Sequence, residues 1–354
     1  MNGRIRPLMN QESDNNRIQS SPFQPAWWLK NRHAQTIYPS LPWTRIRRVA
    51  LRSETLELPD GDTTGVDWLV EAPASAENLP LLVILHGLES SAEASYAQML
   101  LAAARDRGWN ACVLHFRDCG DYRNRLPRRY HAGETNDIRY FLEKLITGGQ
   151  TGPISAVGYS LGGSVLLKYL GENGATTPLQ AAAAVSVPLD LGISADALNI
   201  GFSKIYQRYL LKRMKQSIAR KFDQYTAAFD WHKSMAAKTF AEFDDLVTAP
   251  LHGFDGKDDY YGSCSATAFL SGIQRPTLIV NSLDDPFMSP DVIPDASLLS
   301  ECVTLELSEA GGHVGFVEGG TPLRPKFYLP KRVMAFLQES IEDDERSQPV
   351  MPGL

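Results

Sequence analysis

The stretch Ile154-Ser155-Ala156-Val157-Gly158-Tyr159-Ser160-Leu161-Gly162-Gly163-Ser164-Val165-Leu166-Leu167 decides the fold. Its first half, Ile154–Tyr159, is a short apolar run of the kind that forms a buried strand, and Leu161–Leu170 reads as a helix. Gly-x-Ser-x-Gly alone is a weak signal. Placed at a strand-to-helix turn it is strong, because that turn is so tight that the residues two before and two after the serine must lack a Cβ. The geometry lifts the Ser160 hydroxyl above the sheet edge, beside a helix N-terminus that favours developing negative charge. This context outweighs the plainer reading of Ser160 as an N-cap with packing glycines.

Apolar runs and amphipathic segments alternate on either side of this turn. The pattern predicts strands at Leu79–Leu85, Trp109–Phe116, Ala181–Val187, Pro276–Asn281 and Val303–Leu307. It predicts helices at Ala92–Arg107, about Glu134–Ile146 and about Lys326–Ser340. Upstream, two β-prone runs, Ser53–Leu58 and Val66–Val70, flank Pro59-Asp60-Gly61-Asp62, a hairpin cue. Such alternation implies right-handed βαβ crossovers and a mainly parallel sheet with helices on both faces, an α/β fold. It stops between Leu189 and Gly272, where the sequence is helical without a convincing strand. An insertion of that kind between two strands of one sheet is better read as a cap than as a separate domain. The expected organisation is a tail at 1–21, a core at 22–188 and 273–345, a helical cap or lid at 189–272, and a tail at 346–354.

Composition narrows the class. The chain has 354 residues, 35 Lys+Arg against 41 Asp+Glu (net −6), 43% apolar and 21% charged residues, so it is neither disordered nor fibrous. A net acidic chain is poorly suited to neutralising phosphates, which argues against nucleic acid as partner. The longest apolar runs fall far short of a membrane span. Met1–Ser21 is polar and lacks the apolar stretch of a secretory signal. Cys112, Cys119, Cys264 and Cys302 lie far apart, neither a disulfide framework nor a zinc site. Reduced thiols in a cytoplasmic protein are expected.

A serine nucleophile needs a base, and the base needs an orienting carboxylate. In folds with this turn the chain order is Ser, then Asp or Glu, then His. Three of the seven histidines follow Ser160. His232 and His252 lie in the helical insertion. His313 lies in the loop Glu309-Ala310-Gly311-Gly312-His313-Val314-Gly315, whose glycines let it fold back toward the serine. The acid should end the preceding strand, where Ser282-Leu283-Asp284-Asp285-Pro286 offers two adjacent aspartates that periodicity alone does not separate. An oxyanion hole is expected from the N–H groups of Leu161 and Leu88, with Gly87 turning the loop His86-Gly87-Leu88-Glu89-Ser90. No metal or cofactor is required.

The strings Leu85-His86-Gly87-Leu88-Glu89, His115-Phe116-Arg117, Tyr130-His131-Ala132-Gly133-Glu134-Thr135, Gly158–Gly163 and Asp284-Asp285-Pro286-Phe287-Met288 resemble the YheT-like α/β-hydrolases. So do Gly201–Leu211, Glu242-Phe243-Asp244-Asp245 and Gly311–Phe316, and the likeness runs from His33-Ala34-Gln35-Thr36 to the final helix. The resemblance implies an α/β-hydrolase fold and a serine esterase acting on carboxylic esters, with eukaryotic relatives among medium-chain fatty acid ethyl ester synthase/esterases and phospholipid-directed lipases. It also favours Asp285 as the acid, with Asp284 as turn residue or supporting partner. One departure is Arg117-Asp118-Cys119-Gly120-Asp121, where the family usually reads Arg-Gly-Cys-Ser-Gly.

Within the cap, Gly201–Phe222 holds seven basic residues and no acid, with an apolar side at roughly helical spacing. It is either a cap helix with a solvated basic face or a segment that contacts an anionic membrane surface. A second group, Arg123, Arg125, Arg128 and Arg129, lines an entrance or is simply solvated. An apolar lid suggests a small ester or lipid-like substrate but does not fix its chain length; esters of short- to medium-chain acyl groups are what the resemblance leads one to expect. The competing readings are acyl transfer to an alcohol at the same site, and a non-catalytic binding protein on the hydrolase fold.

Overall fold

The apolar runs become strands because nearly every residue in them is buried. In the computed structural model, which describes residues 17–44, 46–70 and 78–347, Leu81, Val83 and Leu85 of one strand face one apolar cluster and Leu82 and Ile84 face another. This two-residue period, with both faces covered, marks a parallel sheet sandwiched between helices. Each such Leu or Ile contributes about 1.5–3 kcal/mol by leaving water.

The strands in chain order are β1 (Ile18–Ser20), β2 (Leu51–Glu57), β3 (Thr63–Leu69), β4 (Leu81–Leu85), β5 (Asn110–Leu114), β6 (Ile154–Tyr159), β7 (Leu179–Val185), β8 (Thr277–Ser282), β9 (Val303–Ser308), β10 (Val317–Thr321) and β11 (Arg324–Phe327). Nine of them form one sheet, in the order β1-β9-β8-β7-β6-β4-β5-β3-β2. Within it β3 pairs antiparallel with β2 and β5, and every other pairing is parallel. The hairpin expected at Asp60-Gly61 joins β2 and β3, with Gly61 at φ +83°.

The helices are α1 (Arg32–Ile37), α2 (Ser95–Arg105), α3 (Asn136–Thr147), α4 (Leu161–Asn173), α5 (Leu191–Ala197), α6 (Ser203–Lys221), α7 (Trp231–Ala236), α8 (Phe240–Phe243), α9 (Ala249–His252), α10 (Lys257–Cys264) and α11 (Tyr328–Ser347). Residues of α3 and α4 join the cluster on one face of the sheet, and those of α2 and α11 the cluster on the other. Helices α5 to α10 all fall between β7 and β8, with no strand among them. They share a third cluster, built on Tyr206, Leu211, Met214, Ile218, Phe240 and Phe243. Leu88 and Phe287, from loops at the carboxyl ends of β4 and β8, pack against it.

Two expectations need correction, and one element was not anticipated. Ile18–Ser20, placed in the N-terminal tail, is an edge strand whose residues pair with Leu305–Leu307; the rest of that tail, 1–16, lies outside the described residues. The last helix runs to Ser347 rather than ending before a tail at 346, and 348–354 lie outside the described residues. Between His313 and the last helix the chain forms the hairpin β10–β11, which apolar patterning does not announce because Gly319, Gly320 and Pro325 interrupt it.

Candidate active site

Ser160 sits between β6 and α4 with φ +52° and ψ −120°. A non-glycine residue held there is strained by about 1–3 kcal/mol. Two features enforce it. The Ser160 N–H donates to the Val185 carbonyl on β7 at 2.8 Å. A Cβ on Gly158 would lie 2.4 Å from the Gly162 carbonyl oxygen, and one on Gly162 would lie 2.5 Å from the His86 and Leu85 oxygens. The two glycines flanking the serine are therefore steric requirements of the turn, as the motif predicts.

His313 Nε2 is 3.0 Å from Ser160 Oγ, and His313 Nδ1 is 2.8 Å from Asp285 Oδ2. Asp285 is buried, and its Oδ1 accepts the Phe287 N–H at 2.8 Å. The Phe287 ring stacks on the imidazole, centroids 4.0 Å apart at 16°. The two aspartates thus separate by what they touch. Asp284 instead accepts the Gly312 N–H at 2.9 Å and the Ser282 hydroxyl, which steadies the backbone of the histidine loop.

That loop is held by a segment whose role spacing did not reveal. The His313 N–H donates to Thr36 Oγ1 at 2.9 Å, and buried Gln35 accepts the Val317 N–H at 2.7 Å and donates to the Val317 carbonyl at 3.1 Å. A Cβ on Gly315 would meet the Gln35 carbonyl at 2.2 Å, so His33–Thr36 and the glycine loop fit only as a pair. Immediately after β7, Ser186 Oγ accepts the Val314 N–H at 3.0 Å.

The loop after β4 brings Gly87 against Ser160, its built Cβ position 3.5 Å from Ser160 Cβ. Its N–H groups are disposed of one by one. Gly87 N–H donates to Tyr96 Oη at 2.9 Å, Glu89 N–H to Tyr130 Oη at 2.7 Å, and Ser90 N–H to the Gly87 carbonyl at 3.2 Å. The Leu88 and Leu161 N–H groups donate to no described residue. The turn differs from expectation in one respect: the residue in the left-handed region is Glu89, at φ +51°, not Gly87. Buried His86 anchors the loop, its Nδ1 2.7 Å from the Gly87 carbonyl and its Nε2 accepting the Phe116 N–H at 3.3 Å. That pairing requires the proton on Nδ1, and burial, with nearby His115, pushes the imidazole down to about 3, so His86 is neutral.

Ser160, His313, Leu88 and Leu161 open on a cavity of about 930 Å³. One part of its wall comes from the segment between β7 and β8, including Leu198, Ile205, Leu210, Met214 and Phe240, and much of the rest from the entry segment Thr36–Arg48 and the loops that follow β4 and β8. The arginines placed at an entrance do not line it. Arg129 is buried against Glu89, Arg128 pairs with Glu134 and Asp60, Arg125 with Glu57, and exposed Arg123 donates to backbone carbonyls. In the departing loop, Asp118 takes the left-handed backbone, φ +64°, at the position where the resemblance expects glycine. Among the described residues no group of His, Cys, Asp or Glu is arranged to hold a metal ion, and no helix is long and apolar enough to cross a membrane.

A family model described as alpha/beta hydrolase fold matches residues 80–320, which span β4 to β10 and contain the elbow, both aspartates and His313. The chain belongs to the α/β-hydrolase family. Among curated proteins it is 42% identical over 325 residues to "Putative esterase YheT" of Escherichia coli, covering 91% of this chain and 95% of that protein. It is 29% identical to human phospholipase ABHD3 over 300 residues, 83% of this chain and 73% of that one. It is 30% identical to the monoacylglycerol lipase of Saccharomyces cerevisiae over 247 residues, 67% and 55% respectively. The Pyrococcus furiosus esterase Pf2001 shares the fold at 14% identity, with a TM-score of 0.53 over 82% of this chain and 93% of that one. This α/β-hydrolase is an enzyme of the carboxylic ester hydrolase class.

Proposed function

We propose that this hydrolase cleaves esters of short- to medium-chain acyl groups through an acyl-enzyme on Ser160. The observation that carries the reading is the unbroken relay from Asp285 to His313 to Ser160, at 2.8 and 3.0 Å. Ser160 Oγ attacks the ester carbonyl while His313 Nε2 takes its proton. Asp285 holds the ring through Nδ1–H and stabilises the imidazolium. The Leu88 and Leu161 N–H groups receive the oxyanion, each typically worth about 2.7–4 kcal/mol in the transition state. His313 returns the proton to the departing alcohol, and water, activated by the same nitrogen, releases the acid. Residues 189–272 act as the lid over this chemistry. The lid's Phe, Tyr, Leu and Met side chains suit an acyl chain, and a volume of about 930 Å³ lies at the upper end of ligand pockets. A p-nitrophenyl ester panel from acetate to palmitate tests this. Turnover should peak at intermediate chain length; a peak at acetate with steady decline would remove the lid from the acyl site.

The outward face of α6 favours contact with an anionic lipid surface. Phe202, Ile205 and Tyr209 are 47%, 50% and 57% exposed there, interleaved with exposed Lys204, Arg208 and Lys212. Ile205 and Tyr209 also line the cavity, so the apolar rim is continuous with the site. Other basic groups of this helix are engaged: Lys215 with the Met235 and Ala237 carbonyls, Lys221 with Asn124 and Arg220 with Ser217. Cosedimentation should show binding to phosphatidylglycerol vesicles but not to phosphatidylcholine, lost in the K204E/R208E/K212E variant. Equal binding by variant and wild type would contradict this contact. The four cysteines are free thiols, which suits the reducing cytoplasm proposed as the enzyme's location.

A further inference from the structure

Helix α6 touches both catalytic loops through two serines. Near its start, Ser203 Oγ donates to the Pro286 carbonyl at 2.5 Å, one residue beyond Asp285. Near its end, Ser217 Oγ donates to Glu89 Oε2 at 2.5 Å, one residue beyond Leu88. Fourteen residues of helix place the two hydroxyls about 21 Å apart along the axis and within about 40° around it, on one face. Both serines are buried, with Tyr206, Gln207, Leu211, Met214 and Ile218 on the same stripe. Tyr206 packs on Phe287, centroids 4.9 Å apart, and Phe287 stacks on His313.

The Glu89 end is built as a clamp. The carboxylate receives Arg129 Nη2 at 2.7 Å and the Tyr130 hydroxyl at 3.0 Å as well as Ser217. Ser217 in turn accepts Arg220 Nη2 at 2.7 Å. Burial alone would raise the Glu89 carboxyl, but Arg129 beside it keeps it below its ordinary range, so it stays charged. A buried carboxylate that loses a donor is costly. The residue it belongs to is also the one in the left-handed backbone, so the clamp sustains the turn that leaves the Leu88 N–H unpaired.

We propose that Ser203 and Ser217 are positioning residues, through which α6 holds the acid loop and the oxyanion loop in register, so that seating of the lid completes the catalytic geometry. This inference rests on the acyl-enzyme reading of Ser160. It assigns the lid a role in kcat and not only in substrate binding, because neither serine lines the cavity.

The test is steady-state hydrolysis of a p-nitrophenyl ester by wild type, Ser203→Ala, Ser217→Ala, the double variant and Ser217→Thr, with Tm measured for each. Ser217→Ala should lower kcat about tenfold with KM within twofold, and weaken an acyl trifluoromethyl ketone, which binds as the tetrahedral adduct, by the same factor. Ser217→Thr should restore most of the loss, and the double variant should lose more than either single change. If Ser217→Ala fails to fold, Ser203→Ala reads the same split at the acid loop. Alanine variants within twofold of wild type in kcat and ketone affinity, or altered only in KM or Tm, would overturn the inference and leave the Ser160 reading intact. A wild type inactive on every ester would overturn both.

Discussion

Ser160→Ala should reduce kcat by about a millionfold, to a residue of catalysis supplied by the oxyanion donors and substrate binding alone. The size follows from how the triad works. His313 has a proton to take only if Ser160 Oγ stands 3.0 Å away, so removing the hydroxyl silences base and orienting acid together. The substitution should fold. Alanine fits the space, and the φ +52° strain is enforced by Gly158, Gly162 and the Ser160 N–H bond to Val185, none of which needs the hydroxyl. Unchanged Tm with abolished turnover is the expected pair of measurements. Retained activity would remove Ser160 from the mechanism.

The second large effect separates two neighbours. Asp285→Asn should lower kcat about ten-thousandfold while leaving the structure in place, because an amide in contact with Nδ1 favours the wrong imidazole tautomer. Asp284→Asn should cost less than about tenfold, since an amide oxygen still accepts the Gly312 N–H. Steady-state kinetics on one ester distinguishes them, and equal losses would show that the two carboxylates act as a unit.

The sheet was legible because burial on both faces favours apolar residues at nearly every position, buried Ser155 in β6 being an exception. Leu81–Leu85 and Ile154–Tyr159 declare themselves for that reason. The turn at Ser160 was legible because it is sterically extreme, so glycine must recur at fixed offsets. His313 was legible from the glycines around it, although their partner, the backbone of Arg32 and Gln35, lies some 280 residues earlier and leaves no local trace. Asp285 against Asp284 was not decidable from spacing, because both end the same strand and only the direction of each side chain separates them. β1 escaped notice because three residues, two of them polar, suffice at a sheet edge. Glu89 was hidden for a different reason. Its left-handed backbone is sustained by Arg129, Tyr130 and Ser217 rather than by local preference, and glycine is the residue that pattern reading expects there. The clamp from α6 was equally silent, since two serines in a basic helix look like solvated surface until the fold buries them.

If Ser160 is the nucleophile activated by His313 and Asp285, a reagent that traps activated serines should react there and nowhere else. The most direct measurement is intact-protein and peptide mass spectrometry after treatment with a fluorophosphonate. Wild type should carry a single phosphonyl adduct, mapped to Ser160, and none should form on Ser160→Ala or, over the same time, on His313→Ala. An adduct mapped to another residue, or a wild type left unlabelled, would contradict it.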